Sequence, residues 1–279
     1  MDCVISQLQS AGLIVDGLPE VGRLVRCKVE GDTGRKESGW YVLHELQLDN
    51  GDRVHVGRYG NWKTMGDESL PVTFDKPLSV YDQGKLDARQ REIRENAEIE
   101  KKQRAQAAAG RAKKIWEKLP DEGGSDYLSR KRVLAFGVKF SRGSIVVPVR
   151  DAAGDLAGLQ FIAADGTKKF LTGTAKRGCF HRIGSLSPGA PLCVCEGYAT
   201  GATVHMATGW PVAIAFDAGN LAPVAQALRA KYGSQQMLIC ADNDAGTDGN
   251  PGVAKAEAAA KLVGAVVAVP VFAESGVAA

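Results

Sequence analysis

The sequence predicts an α/β protein in which a parallel sheet flanked by helices follows a smaller β-rich region and a charged helix. After residue 190, short apolar runs alternate with helical patterns, which is typical of parallel strands joined by crossovers. A hairpin signal lies before residue 82, and a proline-free, highly charged segment separates the two regions. The predicted domains are residues 1–82, 83–118, 119–190 and 191–279.

Composition indicates an ordinary globular protein. The 279 residues are enough for one large domain or two small ones, and 44% hydrophobic with 24% charged residues are typical values. A formal net charge of +3 does not by itself argue for nucleic-acid binding. No apolar run approaches the roughly 20 residues that cross a bilayer, and the N-terminus lacks a signal-peptide pattern. The sequence therefore predicts a cytoplasmic protein with no membrane partner.

The cysteines argue against zinc. The six of them show no CxxC pair and no paired Cys/His spacing. Cys193 and Cys195 are expected to be buried strand residues, and Cys240 a small core residue.

Residues 1–82 are predicted to form a small β-rich domain. A short helix is expected over residues 4–11, and the Asn50-Gly51 step between two alternating runs predicts a hairpin. The stretch "GRYGNWK" leaves two interpretations open for Tyr59 and Trp62: packing within a small sheet, or stacking on the bases of single-stranded DNA.

Residues 83–118 contain interleaved charges, sparse apolar residues and no proline. This composition predicts a solvated helix that links two domains, in preference to a binding surface.

Residues 119–190 are predicted to form a small basic subdomain of mixed α and β structure. Pro120 ends the preceding helix, and Gly/Asp turns then join three short strands in an antiparallel meander. Between residues 130 and 182 the acids are Asp151, Asp155 and Asp165 alone, whereas the basic residues are Arg130, Lys131, Arg132, Lys139, Arg142, Arg150, Lys168, Lys169, Lys176, Arg177 and Arg182. This excess predicts contacts with phosphate.

In the last region, buried strands alternate with helices. The predicted strands are "PLCVC", "PVAIAF", "QMLICA" and "AVVAVP", and the helix "NLAPVAQALRAKYG" is expected to be capped by Asn220. Ligands of such sheets bind beyond the carboxyl ends of the strands.

Acidic residues follow two of these strands. Glu196 comes directly after "PLCVC", and Asp242 and Asp244 come directly after "QMLICA". Both sets are expected on the same edge of the sheet, where oxygen ligands suit Mg²⁺ or Mn²⁺. Asp248, in the loop that follows, is a further candidate ligand.

This pattern resembles the Toprim domain of DnaG-type primases, topoisomerases and some nucleases. Toprim domains use one glutamate and an Asp-x-Asp pair to bind divalent metal for phosphoryl chemistry. Glu196 matches the glutamate, and Asp242 and Asp244 match the pair. The segments "EGYATGATVHMATGWPVAIAFDAGNL" and "ADNDAGTDGNPG" are similar to primases of phages, plasmids and integrative elements. In DnaG-type enzymes a phosphate-contacting lysine precedes an aromatic-Leu pair, the position of Lys169 in "KKFLTG".

The resemblance implies a DNA primase, a nucleotidyltransferase that makes short RNA primers from NTPs on single-stranded DNA. It implies two-metal chemistry, in which Glu196 is either a metal ligand or a general base. The expected phosphate contacts are Lys169, Arg142, Arg177 and Lys176. The alternatives are a metal-dependent Toprim nuclease and a catalytically inactive DNA-binding accessory protein.

Two departures from the resembled enzymes are visible. The sequence has no zinc ribbon and no GxxxxGK[ST] motif, so a separate replicative helicase is expected as a partner. It ends soon after Phe272, where such enzymes usually continue, which fits a truncated chain or a stand-alone primase.

Overall fold

The computed structural model describes residues 2–49, 51–66, 68–73, 79–243, 247 and 249–270. The chain divides into two compact units, Met1–Glu100 and Lys101–Ala279. The boundary falls within the helix that the sequence predicts between the domains. None of the helices in the described ranges is both long enough and apolar enough to span a membrane.

The first unit is an antiparallel sheet with one helix packed against it. Its elements are α1 (Asp2–Ser10), β1 (Leu13–Ile14), β2 (Leu24–Val29), β3 (Gly39–Gln47), β4 (Arg53–Asn61) and β5 (Leu70–Pro71). The strands lie side by side in chain order. The predicted helix and hairpin are confirmed, and β3 pairs with β4 over the full length of both strands. Asn50, in the predicted turn, lies outside the described residues.

Helix α2 (Val80–Lys118) begins with a reciprocal cap. The Asp82 N–H donates to Ser79 Oγ at 3.0 Å, and the Ser79 hydroxyl donates to the Asp82 carboxylate at 2.7 Å. The Asp49 N–H donates to the same carboxylate at 3.1 Å. These hydrogen bonds, those of Ser79 first, lower the pKa of Asp82. A Ser-x-x-Asp box therefore sets the start of the helix.

The last turns of α2 are a packed part of the second unit. Ala108 and Ala112 are fully buried, and Ala112 packs with Val146 and Leu159. A Cβ placed on Gly173 would lie only 3.2 Å from the Ala108 Cβ, so small residues allow this close approach. The expectation of a solvated linker is corrected for this end of the helix.

The second unit continues with a four-stranded antiparallel meander. Its elements are α3 (Asp126–Lys131), β6 (Lys139–Ser141), β7 (Ser144–Arg150), β8 (Leu156–Ile162) and β9 (Lys168–Phe170). Gly154 and Gly166 have positive φ in the turns around β8, where the sequence predicts Gly/Asp turns. The predicted meander is confirmed, and β6 adds an unpredicted edge strand.

A five-stranded sheet completes the second unit, in the order β10-β12-β11-β13-β14. Its elements are β10 (His181–Ile183), β11 (Leu192–Cys195), α4 (Tyr198–Thr208), β12 (Val212–Ile214), a short 3₁₀ helix (Ala218–Asn220), α5 (Leu221–Tyr232), β13 (Met237–Cys240), α6 (Pro251–Val263) and β14 (Val266–Ala268). The last four strands are parallel, as predicted, whereas β10 is an antiparallel edge strand that the sequence does not predict.

The two faces of this sheet are covered differently. One face packs against α5 and α6, through residues such as Val224 and Ala256. The other face packs against α4 and the meander in one continuous core that includes Cys193, Cys195 and Ile162. Because α4 and the meander share this face, the basic segment is brought next to the carboxyl edge of the parallel strands.

We expect His181 to make the second unit sensitive to acid. Its ring is buried beside Tyr198, with Nε2 2.8 Å from the Phe136 carbonyl oxygen. Burial, aided by the charge of Arg150, lowers the pKa of His181 to about 4, below its ordinary value of 6.5. The unfolded chain therefore binds a proton that the folded unit excludes between these two pH values, so stability is full above pH 6.5 and falls towards pH 4.

The difference between the two pKa values corresponds to about 3 kcal/mol. Thermal melts of the wild type and of His181→Gln, which keeps an N–H donor, measure this loss between pH 7.5 and pH 4.5. We expect the variant to lose less stability on acidification. An equal loss in both proteins would assign the acid sensitivity to other groups.

Candidate active site

Two acidic residues lie side by side at the carboxyl edge of the parallel strands. Cys195 of β11 pairs with Cys240 of β13, so these strands are direct neighbours. Glu196 follows β11 and Asp242 follows β13, and both are half-buried. The Thr200 hydroxyl, in the first turn of α4, donates to the Asp242 carboxylate at 3.2 Å. The predicted placement of Glu196 and Asp242 on one edge is confirmed.

Asn243, the residue after Asp242, hydrogen-bonds to two later parts of the chain. The Asn243 side chain donates to the Pro270 carbonyl at 3.0 Å and accepts from the Asn250 side chain at 2.9 Å. Asp244 and Asp248, the other candidate ligands, lie outside the described residues. Within the described part of the chain no trio of His, Cys, Asp or Glu is placed to hold a metal ion. The carboxylate donors themselves are those that Mg²⁺ and Mn²⁺ favour.

A cavity of about 420 Å³ opens beside these strand ends and has a basic wall. Arg130, Lys131 and Lys168 line it together with Asp242. The remaining lining residues are Tyr127, Asp165, Gly166, Gly197, Ala199 and Thr200. A cavity lined by cations and a carboxylate is suited to an anionic ligand that carries a divalent cation.

The side chain of Lys168 lies close to Gly197, the residue that follows Glu196. A Cβ placed on Gly197 would lie 3.4 Å from Lys168 Nζ. Gly197 is also the N-cap residue of α4. A residue without a side chain therefore lets the ammonium group reach the start of this helix.

Lys169, the lysine expected at this position, lies on the other face of β9. Directly paired residues of an antiparallel sheet point to the same face. Lys168 pairs with Ile162, which belongs to the core shared with the parallel sheet. Lys169 pairs with Phe161, which packs with Ala112 of α2. The structure thus brings Lys168 to the cavity in place of Lys169.

The other expected phosphate contacts lie apart from the cavity. Arg142 is exposed in the turn between β6 and β7 and has φ +47. Lys176 and Arg177 are exposed in a turn that precedes β10, and Lys176 pairs with Asp217 at 2.5 Å. The sequence places Arg130 and Lys131 in the basic segment but does not single them out as phosphate contacts, and the structure brings both to the cavity from the last turn of α3.

Asp217 is a further acid at this edge that sequence reasoning misses. It follows β12, the neighbour of β11 on the side away from β13. Asn220, predicted as a helix cap, makes no side-chain cap hydrogen bond and is instead buried with its side chain bonded to residues 176–179 and 215.

The two aromatic candidates in the first unit differ in accessibility. Tyr59 is 6% exposed and packs in the core with Leu8 and Tyr41, so its ring is not available to a base. Trp62 is 38% exposed. The Trp62 ring centre lies 6.1 Å from that of Trp40, and the Arg26 guanidinium carbon lies 4.2 Å from it. For Tyr59 the packing interpretation is therefore correct.

Comparison with known proteins assigns the last part of the chain to a protein family. A family model described as "Toprim domain" matches residues 190–273. Two proteins of Escherichia coli, both called DNA primase TraC, are 36% identical over 263 residues and 34% identical over 270 residues. Each alignment covers 90% of this chain, but only 18% and 24% of the respective relative. The chain thus spans about a fifth to a quarter of the length of these relatives.

Two solved structures also match about half of the chain. The primase fragment of the bacteriophage T7 primase-helicase protein is 18% identical, with a TM-score of 0.37 over 53% of this chain and 60% of that one. A bacteriophage T7 lagging-strand DNA polymerase complex contains primase domains bound to an RNA/DNA hybrid and dTTP. Its matching chain is 19% identical, with a TM-score of 0.38 over 53% of this chain and 74% of that one. The family match coincides with the sheet that carries Glu196 and Asp242, and residues 190–273 are therefore a Toprim domain.

Proposed function

We propose that this chain is a DNA primase that joins nucleotides into short RNA primers on single-stranded DNA. The observation that carries the proposal is the cavity that Arg130, Lys131 and Lys168 line together with Asp242, beside the end of the strand that Glu196 follows. The similarity to two proteins called DNA primase TraC over 90% of this chain supports the same reaction class.

The carboxylates and the basic residues have different roles in nucleotidyl transfer. Glu196 and Asp242, together with Asp244 and Asp248, would hold Mg²⁺ or Mn²⁺, which when bound would offset triphosphate charge and make the primer 3′-hydroxyl more acidic. Lys168 and the two basic residues of α3 bind the triphosphate oxygens of the incoming NTP. Thr200 orients the Asp242 carboxylate through its hydrogen bond. Most of the rate enhancement then comes from positioning and charge neutralisation.

One assay distinguishes this activity from its alternatives. The full chain is incubated with single-stranded DNA, labelled NTPs and Mg²⁺ or Mn²⁺, and the products are separated on a denaturing gel. Labelled oligonucleotides of a few residues would support the proposal. Shortened template strands would indicate a nuclease, and binding without either product would indicate an accessory protein.

The substrates follow from the same chemistry. A primase takes a single-stranded template and NTPs and leaves an RNA primer paired with the template. The 279 residues contain no GxxxxGK[ST] motif, and we propose a replicative helicase as the partner that unwinds duplex DNA.

We further propose that the first unit contacts the template through Trp62 and Arg26. The Arg26 guanidinium covers one face of the Trp62 ring, and the part of the indole that stays exposed beside this cation offers unpaired bases a stacking surface. Base stacking on an aromatic side chain is worth roughly 1–3 kcal/mol. We therefore expect Trp62→Ala to weaken binding to an oligothymidylate by about fivefold or more, measured by fluorescence anisotropy.

Tyr81→Ala is a matched control for this measurement. Tyr81 is also exposed in the first unit, with Lys85 Nζ 4.6 Å from its ring centre, but it lies on helix α2. We expect its replacement to leave the affinity unchanged. If both variants weaken binding equally, the proposal that Trp62 contacts the template is wrong.

A further inference from the structure

A basic turn at the carboxyl edge of the sheet is fastened to strand β12 by one buried side chain. In this turn the Cys179 N–H donates to the Lys176 carbonyl at 2.9 Å. The Asn220 Nδ2 lies 3.0, 3.0 and 2.9 Å from the carbonyl oxygens of Lys176, Cys179 and Ala215, which share its two N–H donors. Its Oδ1 accepts the Gly178 N–H at 2.8 Å. The position of Lys176 relative to the sheet edge is therefore fixed.

The backbone after β12 directs a carboxylate at this turn. Phe216 has φ +74, a conformation that bulky residues rarely adopt. Its ring is held edge-on to Phe170, with the ring centres 5.7 Å apart. Asp217 follows directly, and its carboxylate lies 2.5 Å from Lys176 Nζ. Strained backbone of this kind persists where the surrounding structure enforces it, and it occurs at functional sites.

The ion pair is built so that it can open. The side chains of Lys176 and Asp217 are 46% and 35% exposed, and pairs exposed to this degree contribute little to stability. A carboxylate and a phosphodiester offer an ammonium group the same partner, a negatively charged oxygen. Lys176 can therefore exchange one for the other at small cost.

The pair also lies on the same edge of the sheet as the candidate active site. Strand β12 is next to β11, on the side opposite β13, so Asp217, Glu196 and Asp242 follow one another along the sheet edge. The cavity beside Asp242 contains its own cations. Lys176 is thus placed for a second phosphate group, beyond Glu196.

We propose that Asp217 holds Lys176 ready for a backbone phosphate of single-stranded nucleic acid, to which Lys176 transfers when a strand binds. Asp217 is then a residue that tunes affinity, because every strand must displace it from Lys176. The inference rests on the proposed function only in taking a nucleic acid as the ligand.

A double-mutant cycle on the full chain tests this exchange, with a labelled oligothymidylate and without NTP or metal. We expect Asp217→Asn to bind the oligonucleotide about fivefold more tightly than the wild type at low salt. Lys176→Ala should bind more weakly, and its slope of log affinity against log salt should be smaller by about 0.7, the value for one lost phosphate contact. In the Lys176→Ala background, Asp217→Asn should bring no gain.

Asp121→Asn is the control for simple loss of negative charge, because Asp121 pairs with Lys139 at 3.3 Å and is 83% exposed. It should leave the affinity unchanged. The proposal is overturned if Asp217→Asn gives the same gain with and without Lys176, or gives none, or if Lys176→Ala keeps the wild-type salt slope. Thermal melts verify folding, and Asp217→Ser replaces Asp217→Asn if that variant does not fold. Primer synthesis is measured separately, so its absence alone would count against the proposed function and not against the exchange.

Discussion

Asp242→Asn should reduce primer synthesis by roughly a hundredfold or more while the second unit stays folded. The carboxylate lies half-buried at the end of β13, facing a basic cavity, and an amide cannot supply the charge that a divalent cation needs. Loss of one preorganised electrostatic group at an active site typically costs about 10²–10³ in rate. The fold should survive because the side chain belongs to the edge of the sheet and not to its core. Labelled-NTP synthesis at saturating Mg²⁺, with thermal melts, measures both effects.

Asp155→Asn is the matched control. Asp155 is an exposed acid in the turn between β7 and β8 of the same unit. It should retain wild-type synthesis, whereas Thr200→Val should lie between the two and need more Mg²⁺, because it removes the hydrogen bond to Asp242. If Asp242→Asn keeps wild-type synthesis at saturating Mg²⁺, the assignment of the metal site is wrong.

Lys168→Ala should raise the KM for NTP by about tenfold or more, and Lys169→Ala should change it little. The two lysines are adjacent in sequence and on opposite faces of β9, so they form a matched pair. A hydrogen bond to a charged group is worth roughly 1.5–3 kcal/mol, which corresponds to a factor of about ten to a hundred. Lys168→Arg should recover part of the loss because it keeps the charge.

The measurement is initial-rate primer synthesis at increasing NTP concentration. A larger effect of Lys169→Ala than of Lys168→Ala would show that Lys169, the lysine expected from the sequence, contacts the phosphate. It would also mean that β9 in the active protein is shifted by one residue relative to β8.

The parts of the fold that could be predicted are those that depend on local pattern. Buried strands after residue 190 are continuous apolar runs, and the acids that end two of them follow directly in sequence. The common edge of Glu196 and Asp242 could be predicted because parallel strands joined by helical crossovers end on the same side.

The parts that could not be predicted depend on which face of an element a residue occupies. Lys168 and Lys169 have the same chemistry, and only the pairing of β9 with β8 decides which of them faces the cavity. Tyr59 lies on the buried face of β4 for the same reason. Asn220 precedes a helix, where caps are common, but its amide bonds to a turn more than 40 residues earlier. Such long-range partners leave no signal in a single sequence.

The core shared by the meander and the parallel sheet has a consequence for how this protein unfolds. Ile145 and Ile162 of the meander pack in the same cluster as Cys195 and Ile214 of the Toprim sheet. The start of the family match at residue 190 is therefore not a boundary of folding cooperativity, because neither side can bury its apolar face without the other. The second unit, including the last turns of α2, should melt in a single transition, and a fragment that begins at residue 190 should aggregate. The cations of the meander side and the acidic edge of the sheet are consequently held at a fixed separation by packing, so a core substitution in either part should disturb both.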